Sequence, residues 1–146
     1  MIVSYVLTFF CRSGEAIGSS ALATFLAKLG ETGDPVLVRR DAADHIDEVD
    51  VCELASDNGS GAAAAGWLLL EFSVGIEYNA RSVIVASPGG EDGIWGSDLV
   101  AELILSGETD WPLVKRIWAT LADLWSAVAW DEMSGFDINK YPFGPA

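Results

Sequence analysis

The chain has 146 residues, with 22 Asp and Glu against 8 Lys and Arg, and a formal charge of −14. A length near 150 suits one domain over 1–146, and a hydrophobic content of 51% with six Trp excludes a chain too polar to build a core. The acidity argues against direct contact with nucleic acid or an anionic membrane surface, since both require a basic footprint, and it fits a basic protein partner.

Residues Ile2–Cys11 are rich in Val, Tyr, Phe and Thr and predict a strand. This apolar run has no basic residues before it and is too short to span a bilayer, so a cytoplasmic protein is expected. Ser13 is a candidate N-cap with Glu15 in the first turn, and Ile17, Ala21, Leu22, Phe25, Leu26 and Leu29 recur at helical spacing. They predict a helix over 15–29, with Gly30 just past its end. A turn at Gly33-Asp34-Pro35 precedes a short strand, Val36–Arg39.

The charge is regional. Residues 1–40 hold four bases and three acids, 41–80 hold nine acids and no base, and 81–146 hold ten acids and four bases. The segment 41–57 is ambiguous, although Val49–Leu54 allows a strand with one wet face; 56–61 is a loop by composition. Trp67–Tyr78 alternates, with Leu68, Leu70, Phe72, Val74, Ile76 and Tyr78 on one side, and predicts a half-buried antiparallel strand. Asn79-Ala80 is then the turn of a central hairpin whose second strand is Arg81–Ser87. Pro88–Gly96 is a Gly-rich acidic loop. Helices are predicted from Asp98 to about Leu105, and after a cap at Thr109 or Asp110, where Leu113, Val114, Ile117, Trp118, Leu121, Leu124, Trp125 and Val128 form an apolar stripe. The tail from Trp130 is expected to be extended and packed in part. The fold class is therefore α+β: an antiparallel sheet with a central hairpin, one N-terminal helix and two C-terminal helices packed on it.

No catalytic constellation emerges. Gly59-Ser60-Gly61-Ala62-Ala63-Ala64 meets only the loose form of a dinucleotide fingerprint, and a strand rather than a helix is expected after it. The loop around 89–96 lacks the Lys and Ser or Thr of a phosphate loop. His45 is the one histidine, among Asp41, Asp44, Asp47, Glu48 and Asp50; such a carboxylate group solvates a surface more often than it holds a hard cation, and the spacing lacks the Gly of a calcium loop. If His45 sits among these carboxylates its pKa rises. Cys11 and Cys52 lie in apolar or alternating runs and suit the core as small side chains. No catalytic residue, cofactor or metal ligand is assigned. Trp118 and Trp125 are expected in the core, and Trp67, which opens a strand, in the core as well. Trp95, beside Glu91 and Asp92, and Trp130, before Asp131 and Glu132, have the composition of interface anchors with a polar rim.

The run FSVGIEYNARSVIVASP at Phe72–Pro88, with Gly75 and Asn79, is followed after a loop by a Trp-containing helix, Leu113–Trp125, and by Ala127–Trp130 (AVAW). This pattern resembles the polymorphic-toxin immunity proteins of the fifty-two type, most specifically over residues 67–131. The resemblance implies a non-enzymatic inhibitor, made beside a bacterial toxin, that protects its producer by occluding the toxin's active site. The cognate toxin domain is then the partner, and an acidic inhibitor suits a toxin that is basic around its site. The expected contact residues are Glu91, Asp92 and Trp95, then Trp130, Asp131 and Glu132, then Asp44, Asp47, Glu48 and Asp50. Two alternatives remain open: an acidic nucleic-acid mimic that blocks a nuclease, with carboxylates arrayed along an extended surface, and a small ligand-binding or enzymatic domain. A pocket with His45 or perturbed carboxylates at its floor would favour the last.

Overall fold

The computed structural model describes residues 4–14, 21–39, 45–46, 49–63, 66–90, 94–106, 109–133, 135–136 and 138. The elements in chain order are β1 (Ser4–Cys11), α1 (Ala21–Gly30), β2 (Val36–Arg39), β3 (His45–Ile46), β4 (Val49–Ser56), β5 (Leu68–Val74), α2 (Ile76–Ala86), β6 (Leu99–Ser106), α3 (Trp111–Trp125) and β7 (Val128–Trp130). The strands form one antiparallel sheet in the order β2-β4-β5-β6-β1-β7, and β3 pairs with the same edge of β4 that β2 covers further along. The fold is thus α+β, with an antiparallel sheet and helices packed on it.

One face of the sheet carries the main core. Leu7, Phe9 and Cys11 of β1 share it with Leu99, Ala101 and Leu103 of β6, Leu68, Leu70 and Phe72 of β5, and Cys52 and Leu54 of β4, all buried. α1 lays Leu22, Phe25 and Leu29 on this face, and α3 lays Leu113, Ile117, Trp118, Leu121 and Trp125. Edge-to-face rings lock the layers: Phe9 with Trp118, Phe25 with Phe72, and Phe72 with Trp125, at centroid separations of 5.5, 5.4 and 6.0 Å. Each such side chain contributes roughly 1.5–3 kcal/mol on burial. Asp110 caps α3, its Oδ1 accepting from the Leu113 amide at 3.2 Å, with Pro112 in the first turn. The helix stops at Trp125, where Ser126 turns left-handed (φ 52°), so Val128 belongs to β7 and not to the helical stripe. Gly30 is the last residue of α1 rather than the residue beyond it; the expected start of that helix at Glu15 lies outside the described residues.

Two elements differ from the sequence expectation. The predicted hairpin at 67–87 is a strand followed by a helix. β5 stops at Val74 because Gly75 turns the chain at φ 113°, a region open to glycine and disfavoured for side chains with a Cβ. Asn79 is helical and buried; its Nδ2 donates to the carbonyls of Ser73 and Gly75 at 2.8 and 3.0 Å, pinning the first turn of α2 to the end of β5. Helical spacing then sets Asn79, Val83 and Ala86 inward and leaves Ile84 and Val85 exposed. The predicted helix at 98–105 is β6, a central strand paired on both sides. Leu99, Val100 and Ala101 are buried in succession, and so short an apolar run carries no period that separates strand from helix. One helix, not two, therefore follows the last central strand, and no hairpin forms at 79–80.

Candidate functional site

Among the described residues, the second face of the sheet is covered at one end only. There Val83 of α2 packs with Phe10, Val100 and Ile94, flanked by Ala86, Val128, Trp130 and Phe136. Beyond this small core the face opens into a cleft of about 600 Å³. Its floor is Val6, Thr8 and Phe10 of β1 with Glu102 of β6; one wall is Ser82 and Val85 of α2; the other is Trp130, Asp131, Glu132 and Met133. Val85 is 65% exposed and Met133 97%.

The register aligns the polar side chains of this face. Val51, Glu71, Glu102, Thr8 and Trp130 are successive cross-strand partners over β4, β5, β6, β1 and β7. The next row is Glu53, Leu69, Ile104 and Val6. Glu53 has a cation: Arg39 bonds it at 3.0 Å and stacks over Trp67 at 3.7 Å, so Trp67 is half-buried under a guanidinium and not in the core as expected. Glu71 and Glu102 stand directly opposite one another, and among the described residues neither is in an ion pair. Burial, and then the charge of Glu71, hold the Glu102 carboxyl above the usual Glu range.

The turn that forms the outer wall is built from its own backbone. Asp131 and Gly135 exchange amide-to-carbonyl bonds of 3.3 and 2.9 Å, with Gly135 at φ 58°, and the tip presents Glu132 and Met133. Asp131 itself is buried (5% exposed) and accepts from the Tyr5 hydroxyl at 2.5 Å. Burial, then this bond and the charge of Asp131, raise the Tyr5 phenol so that it stays neutral.

The expected contact residues divide accordingly. Trp130 and Glu132 line the cleft, while Asp131 anchors the turn beneath them. Trp95 is elsewhere: it borders a smaller depression of about 190 Å³ with Ala80, Val83 and Ile84, along the opposite flank of α2 from Ser82 and Val85. Its Nε1 donates to the Ser87 carbonyl at 2.7 Å, and half of the residue is exposed. Asp50 is corrected from an exposed acid to a buried one; it pairs with Phe72 in the ladder and so points to the core side. Asp44, Asp47, Glu48, Glu91 and Asp92 lie outside the described residues, as does the side chain of His45. Glu71, Glu102, Val85 and Met133 were not among the expected contacts. The signal for Glu102 was one acid inside the otherwise apolar run Leu99–Leu105.

The glycine-rich loop after β4 folds on its own side chains. Asp57 Oδ1 accepts from the amides of Gly59 and Gly61 at 2.8 and 2.9 Å, and Asn58 Oδ1 from the amide and hydroxyl of Ser60 at 2.9 and 2.7 Å. These amides are thereby engaged within the loop. Cys11 and Cys52 are buried core thiols, and burial followed by the charge of Asp98 raises Cys11. Among the described residues no three His, Cys, Asp or Glu side chains gather as metal ligands, and no helix is long and apolar enough to cross a membrane. Compared with protein-family models, curated proteins and solved structures, the chain matches none.

Proposed function

We propose that this protein is an inhibitor of the immunity type, acting in the cytoplasm of its producer by binding a cognate toxin domain with the open face of its sheet. The observation that carries the reading is the face left half-uncovered by the described residues: a wide cleft floored by Glu102, with Glu71 opposite it on the neighbouring strand and neither in an ion pair among the described residues, bordered by exposed Val6, Val85 and Met133. An apolar patch rimmed by one sign of charge is the anatomy of a protein-binding surface. Inhibition needs no chemistry from this chain; occupying the toxin's site is enough.

A second reading, a small-ligand or enzymatic site, is favoured by one observation: the raised carboxyl of Glu102 lines the cleft. The wide exposure of Val85 and Met133 favours a macromolecular occupant over a small one, because ligand pockets enclose most of their guest.

Co-expression with the C-terminal domain of the protein encoded by the adjacent upstream gene tests the proposal. Co-purification as a stoichiometric complex and restored growth are expected. Val85→Asp, which changes an exposed residue of the cleft wall, is expected to weaken the complex at least tenfold while leaving Tm nearly unchanged. Absence of both complex and protection would overturn the reading.

A further inference from the structure

We propose that the cleft receives an arginine side chain carried on an apolar segment of the protein partner, with Glu71 and Glu102 as its joint counter-ions. This deepens the reading of the open face as a protein-binding surface and rests on it.

Charge complementarity within this one face supplies the argument. The face presents three glutamates from β4, β5 and β6. At the sheet edge, Glu53 is matched by its cross-strand neighbour Arg39, which bonds the carboxylate and stacks on an indole. The central pair, Glu102 on the cleft floor and Glu71 beside it on the neighbouring strand, repeats the carboxylate without a cation among the described residues. Glu71 and Glu102 are direct partners, so their Cβ atoms stand about 4.5–5.5 Å apart. That separation lets one planar guanidinium, with five donors in a fixed fork, bond both carboxylates; a lysine ammonium is a point charge and matches the pair less well.

The surroundings fit the rest of such a segment. Val6 and Val85 flank the acid pair with apolar surface, and Trp130 stands in the same row beyond Thr8. Met133, on the rim, is unbranched and adapts to irregular apolar neighbours. The elevated carboxyl of Glu102 agrees with this account, since one of its two causes is the unneutralised charge of Glu71, which an incoming cation would offset.

The experiment uses the full chain and a displayed library of random twelve-residue peptides, selected on the wild type and counter-selected on the Glu71→Gln/Glu102→Gln double variant. Gln is isosteric and relieves repulsion, so the variant is expected to melt no lower than the wild type. The expected result is enriched peptides that share an Arg between apolar residues. Their affinity should fall at least tenfold on the double variant, and as far when that Arg is changed to Ala, with Lys intermediate. Three results would each overturn the inference: enriched peptides without a basic residue, no peptide that distinguishes wild type from variant, or affinity unaffected by the Arg-to-Ala change. The two proposals fail separately. A toxin domain neutralised equally by wild type and double variant would remove the arginine contact and leave the inhibitor reading standing. Arg-dependent peptide binding with no protective activity would do the reverse.

Discussion

At the scale of single residues, Glu102 is the most anomalous side chain in the fold. It lies on a central strand, half-buried, with Glu71 opposite. Like charges directly opposed in a ladder cost roughly 0.2–1 kcal/mol, equivalent to up to about 4 °C in Tm for a domain near this size. Glu102→Gln is therefore expected to raise Tm by that order. Glu71→Gln should do the same, and the double variant should gain less than the sum, because either change alone removes the repulsion. The sign of the pH dependence follows from the raised carboxyl. The folded state holds the Glu102 proton more tightly than the unfolded chain, so this group's contribution is complete below the usual Glu value. It is lost as pH rises through the folded value. Thermal melts across that window should show the stability gap between Glu102→Gln and wild type widening from acid toward neutral pH; a constant gap would mean the carboxyl is not shifted. The sequence displayed the acid inside its apolar run, but its partner became visible only once the run was known to be a strand. The Tyr5–Asp131 bond was hidden for another reason: 126 positions separate its ends.

At the scale of elements, local signals succeeded where one physical effect dominated. The stripe of Leu113, Ile117, Trp118, Leu121 and Trp125 and the Asp110 cap define α3 without tertiary help. The Phe-containing apolar run at the chain start and the alternation of Leu68, Leu70 and Phe72 likewise define β1 and β5. α2 escaped because Val83, Ile84 and Val85 have strand preferences, which tertiary contacts override. What holds it is the amide of Asn79, buried and bonded to two carbonyls at the end of β5, together with Val83 in the second core. Asn79→Ala would leave the Ser73 and Gly75 carbonyls without these bonds, at a cost of about 1–3 kcal/mol. Hydrogen exchange should show the loss first in the amides of 79–86, with α3 little changed, since α2 adds few contacts to the main core. Uniform loss of protection would mean that α2 is integral to global unfolding. Because α2 forms one wall of the cleft, the same variant should also weaken any partner that the cleft binds.

At the scale of the whole molecule, the net charge of −14 matters less than its arrangement. Asp50 and Asp131 are buried, so neither adds to an exposed acidic face. The layer of α1 and α3 carries Lys28 paired with Asp123, Lys115, and Arg116 bonded to the Leu29 carbonyl at the end of α1. The opposite, open face carries Glu71, Glu102 and Glu132. Lys28, Lys115 and Arg116 thus sit behind the core, while on the other side Arg39 is matched by Glu53 at the sheet edge and Arg81 lies on α2; the pull on an approaching basic surface is therefore local to the Glu71, Glu102 and Glu132 carboxylates. Steering of this kind raises association rates by roughly 10–10³-fold and is screened beyond about 8–10 Å at near-physiological salt. With a toxin domain in hand, stopped-flow association should slow by about tenfold or more between low and near-physiological ionic strength, while the dissociation rate changes little. The Glu71→Gln/Glu102→Gln variant should flatten the salt dependence and also dissociate faster, because it removes both long-range charge and a bonded contact. An association rate indifferent to salt in the wild type would mean that the acids serve solubility alone, and that shape and apolar surface account for the choice of partner.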